Sequence, residues 1–421
     1  MKDILKLLQQ LDQFKRLKED LSKGINCWAS GLWGSSAAYL LSAIADGTDK
    51  NVCPTAILFI TPTVDEAEES FQDINLFFSP PQADKALLFP PREDTATTTM
   101  RLNVLQTLLS NADCGLRIAE SQKDAILIPH SAFHIPQLIV APIQAILQDV
   151  PSIENLLGNS LVVRKGQEYT LEKALEWVKA QDFTRVPLVE MPGEFSLRGG
   201  ILDIYPYASS IPYRIEFFGD AIESLREFNV ETQVSEREIE ECQFLGKVDS
   251  YTSQHNETLL DYLPEDTLIV LKEPQAIEAK AGMIHELPLC SFSYETLNGK
   301  FHRHTILNLL CLPITEGLNH HIFHVDSIER IKDVVTEDAS SHLSTIINEL
   351  SCVCGLNTRT IVFCNNDAEK QRFHELMGDA APHLEKRLEL RMGHLSHGFQ
   401  FRDISIALLP HHEIFKRYKQ R

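Results

Sequence analysis

The chain has 421 residues, 43% hydrophobic and 23% charged, with a formal net charge of −20. That length suggests roughly two to four domains with real cores, and the acidic balance excludes tight, sequence-independent nucleic-acid binding by the whole surface. Nine cysteines without framework spacing (Cys352 and Cys354 form C-x-C), no signal peptide and no apolar run of spanning length predict free thiols, no membrane association and a cytoplasmic home.

Residues 1 to about 23 read as one amphipathic helix, with Ile4, Leu8, Leu11, Leu17 and Leu21 at helical spacing. Both charge signs share its polar face, which favours packing on the first domain over a lipid surface. INCWAS then reads as a strand, GLWGSSAA as a glycine-bearing loop and YLLSAIADG as a helix. Strands follow at Thr55 to Thr61, Ala86 to Asp94, Asp124 to His130 and Gln137 to Pro142. Helices come between them at VDEAEESFQDINLFF and Met100 to Ser110. β-Branched runs bounded by prolines and alternating with helices predict a mostly parallel sheet.

From Leu161 the pattern changes. LVVRKG is a strand ending at Gly166, and Thr170 caps a helix through Val178. Between Arg185 and Asn229 the period becomes two. Phe195 and Leu197 face one way; Glu194, Ser196 and Arg198 face the other. Ile201 to Tyr205, Tyr213 to Phe218 and Ala221 to Phe228 add strands, with a tight hairpin at Gly219-Asp220. The wet face is expected to carry Arg185, Arg198 and Arg214. Periodicity by itself describes no more than an antiparallel sheet with arginines.

Tyr262 to Ile277 reads as a return to the first sheet, its apolar strand ending in Lys272-Glu273. In a strand, His320 and His324 would share a face at a metal-binding distance, with His321 between them. No Cys or paired acid is spaced to complete that set, so a half-exposed strand is expected and no metal site. The final segment predicts a helix at Ala339 to Leu350, a strand at Thr358 to Asn366, a helix DAEKQRFHELMG closed by Gly378, and strands at RLELRMG and DISIALLP.

GEFSLRGGILDIYP followed by PYRIEFFGDAIESLREFN closely resembles the UvrA-binding insert shared by the excision-repair protein UvrB and the bacterial transcription-repair coupling factors. The wording is nearer the coupling factors. GHLSHGFQF and HHEIFKRYKQR resemble the end of their small third domain. The implied fold is α/β: a degenerate P-loop NTPase-like parallel-sheet domain (residues 1–155 and 249–338), an inserted α+β antiparallel-sheet module (156–248) and a small C-terminal α/β domain (339–421).

The resemblance also implies a lost nucleotide site. Gly31, Gly34 and Ser35 stand where the UvrB-type loop has its first residues, but Ser36 replaces the next glycine, Ala37 the lysine and Ala38 the threonine. A working loop needs that lysine for the phosphates and that hydroxyl for magnesium. Lys272-Glu273 stands in place of the paired acids. UvrB's long aromatic DNA-clamping hairpin has no counterpart in Pro90 to Thr99, which contains no aromatic residue. The expectation is a non-enzymatic chain without cofactors that recruits UvrA in transcription-coupled nucleotide excision repair, through Arg185 and Arg198 with Phe195 next. ATP, magnesium, RNA polymerase and double-stranded DNA belong, on the same resemblance, to parts of the full-length family outside this chain. The alternatives are a UvrB-type DNA-loading ATPase and a stand-alone UvrA-binding scaffold.

Overall fold

The computed structural model of the protein describes residues 1–46, 54–78, 86–111, 137–209, 211–247, 257–284, 290–314, 317, 319–328, 347–348, 350–353, 355, 358–385 and 387–414. Among the described residues seven parallel strands form the central sheet: β1 (Cys27–Ser30), β2 (Ala56–Thr61), β3 (Ala86–Leu88), β4 (Gln137–Pro142), and, after the insert, β13 (Leu268–Lys272), β14 (Thr305–Leu310) and β15 (His320–Ile322). Their order is β15-β1-β14-β13-β2-β4-β3. Continuous apolar runs suit such a sheet because both faces are buried. Ile57 and Phe59 enter one core, Leu58 and Ile60 the other.

The first core is closed by α1 (Lys2–Gln10), α2 (Asp12–Ser22), α3 (Ser36–Ala45) and α4 (Val64–Phe77). The single helix expected over residues 1–23 is thus two. Leu11 leaves helical space at φ −66°, ψ 129°. The break lets α1 dock on α3, where the Tyr39 hydroxyl donates to the Ile4 carbonyl at 2.6 Å, while α2 lays Phe14 and Leu17 into the core. One straight helix could not serve both contacts. The second core is covered by α5 (Thr95–Asn111) and by helices at Pro274–Ile284 and Tyr294–Phe301.

The strand expected over Ala86 to Asp94 pairs only as far as Leu88, since Pro90 and Pro91 have no N–H for a ladder. Helix α5 starts five residues before Met100, with the Asp94 carboxylate accepting the Thr97 N–H at 2.7 Å. Five residues, Pro90 to Asp94, join Phe89 to α5, too few for a long hairpin. The buried Arg101 guanidinium anchors α5 by donating to the carbonyls of Pro90, Ala145 and Asp149. The strand expected at Asp124 to His130 lies outside the described residues.

The insert contains β5 (Ser160–Arg164), β6 (Thr184–Arg185), β7 (Glu194–Arg198), β8 (Ile201–Tyr205), β9 (Tyr213–Phe218), β10 (Ala221–Phe228), β11 (Ser235–Glu238) and β12 (Glu241–Leu245). Six form a sheet in the order β11-β10-β9-β8-β7-β6, antiparallel except for β6 with β7; β5 pairs with β12. Thr170 caps Leu171–Ala180 by accepting the Lys173 N–H, and Ala174 and Val178 pack that helix under the sheet.

Among the described residues a five-stranded sheet follows: β16 (Val325–Ser327), β17 (Arg359–Cys364), β18 (Leu388–Met392), β19 (Phe399–Phe401) and β20 (Ile406–Pro410), ordered β16-β19-β20-β17-β18. β16 already belongs here, pairing with β19. The chain therefore changes sheets at Phe323 and His324, ahead of the expected boundary at 339. The crossing is pinned on both sides: the Phe323 N–H donates to Ser30, and the His324 carbonyl accepts the Arg402 N–H. It also removes the shared face expected for His320 and His324, since β15 ends at Ile322. His320 meets the Ser30 hydroxyl and His324 meets Asp403. Gly378 does not close its helix, which runs Asp367–Ala380; the stop comes at Ala381, where Pro382 disfavours helical backbone. The helix expected at Ala339 to Leu350 lies mostly outside the described residues.

Candidate functional site

β1 hands over to α3 through Gly31–Ser35. Gly31 (φ 78°) and Gly34 (φ 57°) are left-handed, and a Cβ on either would strike backbone: 2.1 Å from the Phe323 carbonyl oxygen and 2.7 Å from that of Gly398. Here the glycines admit the chain's own backbone. The Ser35 N–H donates to the His397 carbonyl at 3.3 Å, and the His397 N–H donates back to Ser35 Oγ at 2.9 Å. Asp73 of α4 accepts the Ser396 N–H at 2.7 Å. Burial pushes its carboxyl up to about 6, against hydrogen bonds from Ser35 and Ser396. The His397 ring lies 3.2 Å from Glu69 and 3.3 Å from Glu413, and buried Glu413 also accepts the Gly398 N–H. Residues 396–398 thus lie against the loop.

Ser36, Ala37 and Ala38 are all buried, and Ser36 Oγ has no hydrogen-bond partner among the described residues. Lys272 is paired with Glu66 at 2.8 Å. Glu273, itself left-handed at φ 50°, accepts the Cys311 N–H at 2.5 Å and donates its own N–H to Leu309. It braces the ends of β13 and β14.

In the insert, the three arginines expected on one wet face have three different positions. Arg198 is 54% exposed at its side chain and donates to Asp203 at 2.9 Å. Arg214 is only 16% exposed and binds Asp203 through two nitrogens, at 2.7 and 3.0 Å. It is the counter-ion of a carboxylate in the middle strand, so its expected solvent position is corrected. Arg185 is exposed at the sheet edge, where β6 sets it in register with Phe195. Strand alternation therefore puts it opposite the side from which Arg198 projects. Phe195 is 3% exposed and lies in the module core with Leu202, Ile204 and Ile215.

Sequence periodicity passed over one feature. Residues 187–191 and 229–234 cross the polar face, tied by Ser196 Oγ to the Pro187 carbonyl and Gln233 Nε2 to the Val189 carbonyl. They hold Leu188, Met191 and Val234 out to solvent, Met191 at 65%. Their signal was an apolar residue in a turn. Apolar side chains beside an exposed arginine make a mixed surface suited to a protein partner.

Residues 161–249, spanning this module, match the family described as the UvrB interaction domain. The chain is similar to curated transcription-repair-coupling factors. Identity is 26% over 236 residues with that of Bacillus subtilis, covering 56% of this chain and 18% of the relative. It is 31% over 140 residues with that of Escherichia coli, covering 33% and 12%. For Staphylococcus aureus (strain bovine RF122 / ET3-1) it is 28% over 221 residues, covering 50% and 18%. The matched part is thus less than a fifth of each relative's length. Among the described residues no helix is long and apolar enough to cross a membrane.

Proposed function

We infer from this kinship with the amino-terminal portion of transcription-repair coupling factors that the chain recruits UvrA during transcription-coupled nucleotide excision repair. The observation that carries the reading is the insert, a UvrB interaction domain whose polar face presents Arg198 with Leu188, Met191 and Val234 and whose edge presents Arg185. Arginine forks suit such a face because they bind carboxylates through two hydrogen bonds. The chain does this work in the cytoplasm without hydrolysing ATP. Support comes from Ala37 and Ala38 where a lysine and a hydroxyl are needed, from Lys272 engaged with Glu66, and from residues 396–398 lying against the loop. RNA polymerase and duplex DNA are partners of other parts of the full-length family. Isothermal titration of UvrA into the purified chain tests the reading. A saturable heat at one site per chain is expected, and no heat at micromolar concentrations overturns it.

A further inference from the structure

We propose that Asp20, Cys27 and His321 form a binding site for one zinc ion that ties α2 to the edge of the parallel sheet. Far apart in sequence, they converge through the fold. β1 and β15 pair with Ala29 opposite His321, so strand alternation puts Cys27 and His321 on the same face. Helix α2 lies over that face and brings Asp20 from its last turn. Each residue offers one ligand atom, and the three atoms lie within 4.8 Å of one another. Among the described residues this is the one such group of His, Cys, Asp or Glu.

The donor set selects the ion. A thiolate, an imidazole and a carboxylate together match zinc, whose bonds to sulfur and nitrogen are about 2.3 and 2.0 Å long. The atoms around a bound ion would sit roughly 3.3–3.8 Å apart, so modest side-chain rotation closes the site. Cys27 and His321 are buried, and Asp20, 29% exposed at its side chain, leaves a fourth position open to water. The His321–Asp20 contact at 3.1 Å already aligns two ligands.

Burial keeps the imidazole below its ordinary range, as a neutral ligand. Burial, then the Asp20 charge, hold the Cys27 thiol up at about 12, its hydrogen directed to the Ile25 carbonyl. Zinc binding must therefore expel that proton: the S–H bond breaks, the sulfur lone pair bonds the metal, and one proton leaves to solvent. The thiolate and the Asp20 carboxylate balance the ion's two charges. Arg16, whose charge reaches His321, opposes binding and sets a limit to affinity.

The test uses the full chain stripped of metal by chelator and titrated with cobalt and then zinc. The expected result is one cobalt per chain with a thiolate charge-transfer band, displacement by zinc, and a melting temperature raised by zinc. Cys27→Ser, His321→Gln and Asp20→Asn should each weaken binding by more than about tenfold, whereas Cys352→Ser, at an exposed thiol, should leave it unchanged. Asp20→Asn keeps a hydrogen-bonding oxygen at a half-exposed position, so circular dichroism should show it folded. No charge-transfer band, or a band that survives in all three ligand variants, or a melting temperature indifferent to zinc overturns the proposal.

Discussion

Ser35 and His397, 362 positions apart, hold each other by two reciprocal hydrogen bonds, one in each direction. This pair joins the loop after β1 to the small C-terminal sheet. Around it Asp73, Ser396, Glu69 and Glu413 complete a mostly buried polar network. Two α/β units are thereby held together across the glycine-bearing loop between β1 and α3.

That arrangement predicts unequal costs at two left-handed glycines. Gly34→Ala adds a Cβ 2.7 Å from the Gly398 carbonyl oxygen, whereas Gly199→Ala, at φ 63°, meets nothing within 4 Å. Both carry the strain of positive φ, about 1 kcal/mol or more. Only the first must also push two units apart. Chemical denaturation should show Gly34→Ala the less stable by a further kcal/mol or so; equal losses would mean that the contact yields freely.

The buried carboxylate of Asp73 predicts a pH dependence. Its ordinary value is 3.8, and burial raises it to about 6 in the fold. Between those values the unfolded chain has released the proton and the folded chain keeps it, so this group's stability is full below 3.8 and lost as pH rises through 6. Asp73→Asn should remove that component, worth at most about 3 kcal/mol. Denaturant midpoints of wild type and variant at pH 4, 5, 6 and 7 would show it as a gap that moves towards the variant with rising pH and flattens above 6.

At the insert the arginines should separate binding from folding. Arg198→Ala and Arg185→Ala are each expected to weaken UvrA roughly thirtyfold, as for an anchor losing about 2 kcal/mol, with little change in melting temperature. Arg214→Ala removes two of the three arginine hydrogen bonds to the carboxylate of Asp203, 2% exposed, and leaves it only the more exposed Arg198; it should cost roughly 2–3 kcal/mol of stability. Phe195→Ala opens a cavity and should cost about 3–5 kcal/mol. Titration calorimetry beside thermal melts distinguishes the two classes. Wild-type binding by both surface variants would place the recruiting face elsewhere.

Steady-state ATP hydrolysis, with or without DNA, should be indistinguishable from a buffer blank. Restoring single residues, as in Ala37→Lys, should not rescue it, because the loop faces residues 396–398 and Lys272 is engaged with Glu66. Turnover that co-purifies with the chain through several columns would refute this.

Much was legible in the residues alone. Period-two alternation marked β7 to β10, Gly219 marked their hairpin, and two-sided apolar runs such as Ala56–Thr61 marked strands buried on both faces. These are local signals, set by side-chain direction along a few residues of chain. Ala37, Ala38 and the Lys272-Glu273 pair stood out only through the family resemblance, which leads one to expect a lysine, a hydroxyl and paired acids there. Tertiary structure alone decided what fills their place. Alternation gave Arg198 a polar face but could not tell it from Arg214: both pair with Asp203, and which of them is buried against it depends on the strand across the sheet and the segments above it. The same holds for the proposed ligands Asp20, Cys27 and His321: the crossover sheet brings Asp20 and His321, 301 positions apart, into contact, which no linear spacing records. Burial and charge pairing are properties of that assembled neighbourhood, and only the fold creates it.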